Sequence, residues 1–94
     1  MPISNNKIMT DTSITTLTDE RPSLEKAQEL VGGFVELIEL NNGDQMLVNE
    51  DGIFSGLPIN EEATNIALLN SNALMQNGIL GNAVLLQGNA RWID

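Results

Sequence analysis

The sequence predicts a small α+β domain: an antiparallel or mixed sheet of four or five strands, with two helices packed mainly on one of its faces. Three observations predict it. Short β-branched or alternating apolar runs recur along the chain, each bounded by glycine, asparagine or proline. Two other stretches space their apolar residues at helical intervals behind a serine or an asparagine. The chain is 94 residues long, which is one domain with a thin core.

Each element has a local reason. Residues 1–12 are polar and mixed and are expected to form a flexible N-terminal segment, ahead of a single domain over 13–88 and a tail over 89–94. Ser13 to Thr18 is rich in β-branched residues and predicts a first strand. Asp19 to Pro22 reads as a turn. Ser23 is placed to cap a helix, with Glu25 in its first turn and Leu24, Ala27, Leu30 and Val31 on one face. Gly32-Gly33 ends it. A helix this short is not stable alone, so its apolar face must pack on the sheet.

Phe34 to Leu40 predicts a strand interrupted by Glu36 and Glu39. Asn42-Gly43 predicts a two-residue type I′ hairpin turn, and Gln45 to Asn49 the returning strand. Asn49 to Gly52 reads as a second turn and Ile53 to Ser55 as a third short strand, which would make a meander of three antiparallel strands. Gly56-Leu57-Pro58-Ile59 leads to Asn60, the expected cap of a second helix, with Glu61 and Glu62 where the helix dipole favours negative charge. Its apolar residues are Ala63, Ile66, Leu69 and Ala73, and it ends either at Asn70-Ser71-Asn72 or at Asn77-Gly78. Ala83 to Gln87 is the last predicted strand, and Trp92 is expected to dock on the body or on a partner.

Composition excludes several functions. There is no cysteine, histidine or tyrosine, so thiolate chemistry, disulfides and imidazole general bases are absent. Only serine, threonine, aspartate, glutamate and lysine remain for chemistry, and none sits in an activating motif. No enzyme, cofactor or metal site is expected. The formal charge is −9, and the basic residues Lys7, Arg21, Lys26 and Arg91 are scattered. Phosphate backbones and anionic membranes are repelled by such a chain, so no direct nucleic-acid or membrane partner is expected. No run approaches the eighteen or so apolar residues of a transmembrane helix, and the expected location is the cytoplasm. Aromatic residues are 3% of the chain, so the core must be aliphatic, and pairing into a homodimer would be a natural way to extend it.

Three blocks carry a resemblance. The first is Ser23-Leu24-Glu25 with Gln28, Val31-Gly32-Gly33-Phe34-Val35 and Glu36. The second is Asn49-Glu50 with Gly52, Gly56-Leu57-Pro58, Asn60 and Ala63. The third is Ile79, Gly81 and Val84. In that order and spacing they resemble a family of small proteins of unknown function carried by phages, conjugative elements and bacteria. The resemblance covers about residues 23–88. Phe34 stands where tyrosine is common. What the resemblance implies is a small α+β fold and a phage or mobile-element origin, with no catalytic residues to carry over.

The candidate binding residues are Asn49, Glu50, Asp51, Gly52, Gly56, Leu57, Pro58 and Asn60, read as a ligand or partner loop. A mechanical account competes with that reading, because Gly56, Pro58 and Asn60 each have a structural task as turn, stiffener and cap. Calcium is a poor fit to Asn49–Gly52: an EF-hand loop with Gly52 at its sixth position would place Leu47 and Pro58 where it needs acids. Glu36 and Glu39 point to opposite faces of one strand and cannot form a close pair. Glu25 and Glu29, with Glu20 nearby, could belong to a surface that mimics DNA, or be a solvated helix face. The expected function is therefore an uncharacterised accessory protein acting through an unknown protein partner. The alternative is a module that binds a nucleotide signal.

Overall fold

The computed structural model describes residues 13–70 and 78–92. In chain order the elements are strand β1 (Thr15–Thr18), helix α1 (Leu24–Val31), strands β2 (Val35–Glu39) and β3 (Gln45–Asn49), helix α2 (Glu61–Asn70), strand β4 (Ala83–Leu86) and a 3-10 turn over Gly88–Ala90. The expected flexible segment over 1–12, Ala73 and the later of the two expected helix ends lie outside the described residues.

The strands form one four-stranded mixed sheet in the order β1-β4-β3-β2. β4 is antiparallel to β3 and β3 to β2, while β1 runs parallel to β4. The fold class is the α+β mixed sheet that the sequence predicts. The helices, however, do not share a face. Leu47, Val84 and Leu86 pack with Ala27 and Val31 of α1, whereas Met46, Val48, Ala83 and Leu85 pack with Ala63 and Ala67 of α2. Alternate residues of β3 and β4 thus supply two cores, one on each side of the sheet. These strands are buried along both faces, so they read as continuous apolar runs that could not say which helix goes where.

The predicted third strand is absent. Residues 51–56 are a coil of turns, closed by bonds from Ser55 N to Asp51 O (2.9 Å), Gly56 N to Ile53 O (3.2 Å) and Leu57 N to Gly52 O (3.1 Å). The place beside β3 is taken by β4, whose longer apolar run buries more area against it. The hairpin also differs from the expected one. Leu40 N donates to Asp44 O (2.9 Å) and Gly43 N to Leu40 O (3.1 Å), so the loop is Asn41–Gly43. Among the described residues only glycines take positive φ, and Gly43 does so at 97°. A right-handed turn ended by one left-handed residue satisfies the strand twist without forcing Asn42 to positive φ.

Both helices start as expected. Ser23 Oγ accepts from Lys26 N at 3.0 Å, and α1 ends at Gly32, whose N–H donates to Gln28 O. In α2 the buried residues are Ala63 and Ala67, small enough to let the helix lie close on the sheet, while Leu69 is 83% exposed. At 3.6 residues per turn Leu69 falls about 120° round from Ala63, off the packed face that Ile66 and Ala67 share. Trp92 docks on the body: its Nε1 donates to Pro22 O (3.0 Å) and its N–H to Gln45 Oε1 (2.7 Å), and its ring joins the α1-side core.

Candidate functional site

The loop from Asn49 to Asn60 contains every candidate binding residue, and the structure divides it in two. Asn60 is 1% exposed. Its Oδ1 accepts from Ala63 N (3.0 Å) and Thr15 Oγ1 (3.1 Å), and its Nδ2 donates to Ile14 O and Gly81 O, both at 3.1 Å. Its own N–H donates to Ile79 O (2.7 Å) and its carbonyl accepts from Thr64 N (2.9 Å). One side chain therefore caps α2 and ties the lead-in of β1 to that of β4. Pro58 O accepts from Gly81 N (2.8 Å) and Ser13 Oγ (3.0 Å). Leu57 lies so close to Gly81 that a Cβ there would meet its Cδ1 at 2.7 Å. Leu57, Pro58 and Asn60 thus hold the domain together, and of the three only Asn60 is buried.

At the other end of the loop, Asn49 Nδ2 donates to Val31 O (3.1 Å), which fastens the carbonyl end of α1 to the end of β3. Asn49 Oδ1 accepts from Asp51 N at 2.7 Å and shapes the turn. Gly52 is buried because a Cβ there would stand 3.0 Å from Leu80 Cβ and 3.1 Å from Leu80 O. Asn49 and Gly52 are thus structural too.

Glu50, Asp51 and residues 53–56 are exposed. Phe54 is 93% exposed, Ile53 62% and Phe34 66%. Glu50 N donates to Phe34 O (2.9 Å), and the turn that carries Ile53 and Phe54 begins at the next residue, at the same end of the β2–β3 pair. Two open clefts lie there, Ile53 lining one and Phe34 the other. One of about 280 Å³ is lined by Glu36, Ile38, Val48, Glu50, Ile53 and Leu80, the other of about 350 Å³ by Gln28, Gly33, Phe34, Asn49, Asp51 and Ser55. A third, of about 220 Å³, lies behind Pro58 beside Ser13 and Asn82. Among the described residues, no lysine or arginine lines any of the three.

Glu36 and Glu39 are both exposed, on opposite faces of β2 as their spacing requires. Glu39 Oε2 accepts from Gln45 Nε2 (3.1 Å), and so supports the buried Gln45. Glu25 and Glu29 are exposed on α1, where Lys26 stands 3.5 Å from Glu29 and breaks the run of negative charge. Among the described residues no three acids are grouped to hold a metal ion. No described helix is long and apolar enough to cross a membrane.

Residues 3–93 match the family model described as a domain of unknown function, DUF3846. The chain belongs to that family. The DUF3846 match runs past both ends of the 23–88 span that the three blocks cover. No curated protein and no solved structure matches the chain.

The sequence reading missed Phe34, Ile53 and Phe54 as candidates. The signal was present: two large apolar residues between Gly52 and Gly56, in a stretch too short to be a good strand. Assigning Ile53–Ser55 to the sheet concealed it.

Proposed function

We propose that the chain is a non-enzymatic accessory protein of a phage or another mobile element, and that it acts by protein–protein contact. The contact surface is the apolar end of the sheet made by Phe34, Ile53 and Phe54, rimmed by Glu36, Glu50 and Asp51. One observation carries this reading. An aromatic side chain 93% exposed, next in sequence to Ile53 and in the turn that follows Glu50, the backbone partner of Phe34, has no folding task, and Ile53 and Phe34 are themselves more than 60% exposed. Exposed apolar groups gathered within a polar rim mark interaction sites, whereas scattered ones do not. The three-block resemblance supports the mobile-element origin, and the formal charge of −9 favours a basic partner.

The hydroxyl groups support the non-enzymatic part. Those of Ser13, Thr15, Thr18, Ser23 and Thr64 each bond to the backbone or to Asn60. None of these bonds pairs a hydroxyl with a carboxylate or an amine that could activate it.

A nucleotide signal is the weaker fit, because the clefts beside the loop are lined by carboxylates and, among the described residues, by no cation to meet a phosphate. A thermal-shift series with cyclic and linear nucleotides tests it: the protein-contact reading expects a flat response.

Affinity capture from host cells with the wild-type chain and with Phe54→Ser tests the main reading. The expected result is a basic protein retained by the wild type and lost with the variant. Equal capture by both would remove the surface from consideration. Competition by duplex DNA would identify the DNA-mimicking version of the same function.

A further inference from the structure

We infer that the outer edge of β2 is a strand-addition site for an extended, basic and apolar segment of a partner protein. The inference rests on the protein-contact reading and specifies its geometry.

The phase of the β2–β3 ladder decides which groups are available. Glu50 N donates to Phe34 O and Leu40 N to Asp44 O, both at 2.9 Å, and the register pairs Glu36 with Val48 and Ile38 with Met46. The even-numbered residues of β2 therefore spend their N–H and C=O groups on β3. In a strand, successive residues alternate the side to which these groups point. Those of Val35, Leu37 and Glu39 consequently point outward. β2 is the last strand of the sheet, and no strand among the described residues pairs with that edge. A row of outward donors and acceptors is a template for another extended chain.

The side chains around that edge select the occupant. Val35 and Leu37 are half-buried on the α1 side, and Ile38 is half-buried on the other. Exposed Glu36 and Glu39 lie one on each face, and Glu50 lies at the Phe34 end. An added strand would thus meet a carboxylate on both of its faces, with apolar side chains between. The sheet's other edge differs. β1 carries no acid, and the groove beside it is lined by Arg21 and Lys26 as well as Glu20. Near β2, the described cation is Arg91 at the hairpin end, where it donates to Gly43 O and Gly88 O. A basic segment is therefore drawn to β2 rather than to β1. A second copy of this chain, with its own formal charge of −9, is opposed by like charge.

The test uses the full isotope-labelled chain and a blocked peptide of Lys-Lys-Val-Val repeats, which presents lysine and valine on both faces of a strand and is long enough to span β2. Salt is held near 0.15 M so that diffuse attraction is screened. At saturating peptide, amide hydrogen exchange at Val35, Leu37 and Glu39 should slow by about tenfold or more, while Glu36 and Ile38, already bonded to β3, change little. The same peptide N-methylated at alternate amides keeps its charge and loses its strand-pairing donors, and should not slow them. Val35→Pro removes one outward donor without touching the β3 ladder, and should weaken peptide binding by about tenfold.

Three results would overturn the inference: binding without slowed exchange at those three amides, equal protection by the N-methylated peptide, or protection already present in the free chain together with a sedimenting dimer. If it fails while Phe54→Ser still loses the captured partner, the protein-contact reading survives and only the edge geometry is wrong. If Phe54→Ser retains the partner while the edge amides respond, the edge stands and the apolar surface does not.

Discussion

Asn60 is 1% exposed and its side chain makes four hydrogen bonds, whereas Phe54, in the same loop, is 93% exposed. The residue with the polar side chain is the one buried, and the aromatic one faces solvent. Burying an amide is tolerable only when every donor and acceptor finds a partner, and Asn60 meets that condition. Exposing a phenylalanine brings no stability. The contrast separates the part of the loop that builds the fold from the part left over for a partner. Glu50 and Asp51, among the residues the sequence marks, fall on the partner side with Ile53 and Phe54. Asn49, Gly52, Leu57, Pro58 and Asn60 fall on the fold side.

The most severe test of that division is Asn60→Ala. It removes the α2 cap, takes the side-chain donor from Gly81 O and leaves Ile14 O with Ala83 N alone, and should cost about 3 kcal/mol or more of stability by urea denaturation. A loss of under about 1 kcal/mol, within the range of a single ordinary hydrogen bond, would mean that the buried network is not what holds the loop. Next is Gly52→Ala, whose new Cβ would press on the backbone oxygen of Leu80; about 1–3 kcal/mol is expected. Gly56→Ala sharpens the comparison. Its Cβ would meet nothing within 4 Å, but φ is +65°, so the cost should be about 1–2 kcal/mol from the backbone alone. Phe54→Ser should leave the denaturation midpoint within about 0.5 kcal/mol of the wild type while abolishing partner capture. A clear loss of stability would show that Phe54 packs after all. The smallest effect is expected at the Lys26–Glu29 pair, where both side chains are more than half exposed. Lys26→Ala should cost only about 0.2–0.5 kcal/mol, and less in high salt.

Local chemistry was legible wherever one residue type performs one task. Ser23 and Asn60 as caps, Gly32 as the end of α1, the aliphatic core and the β3 and β4 strands could all be read in one dimension. The candidate site was legible only as a region. Asn49 and Asn60 look like binding residues in a sequence because asparagine in a loop is usually solvated. Only the folded chain shows Val31 O, Ile14 O and Gly81 O placed to accept from those amides. Ile53–Ser55 was misread for the converse reason: apolar residues suggest a strand, and nothing local says that the neighbouring place in the sheet is already taken by β4.

By itself, the sequence determined the α+β class, the helix starts, the lack of thiol and imidazole chemistry, and the acidity that narrows the choice of partner. These follow from residue identity and short spacings. Tertiary structure alone decided that the helices sit on opposite faces, that β1 joins β4 in parallel, and that β2 is left as an edge with its odd-numbered backbone groups turned outward. Those outcomes depend on which distant segments compete for the same strand and face, and alternation within a segment records only that it has two sides.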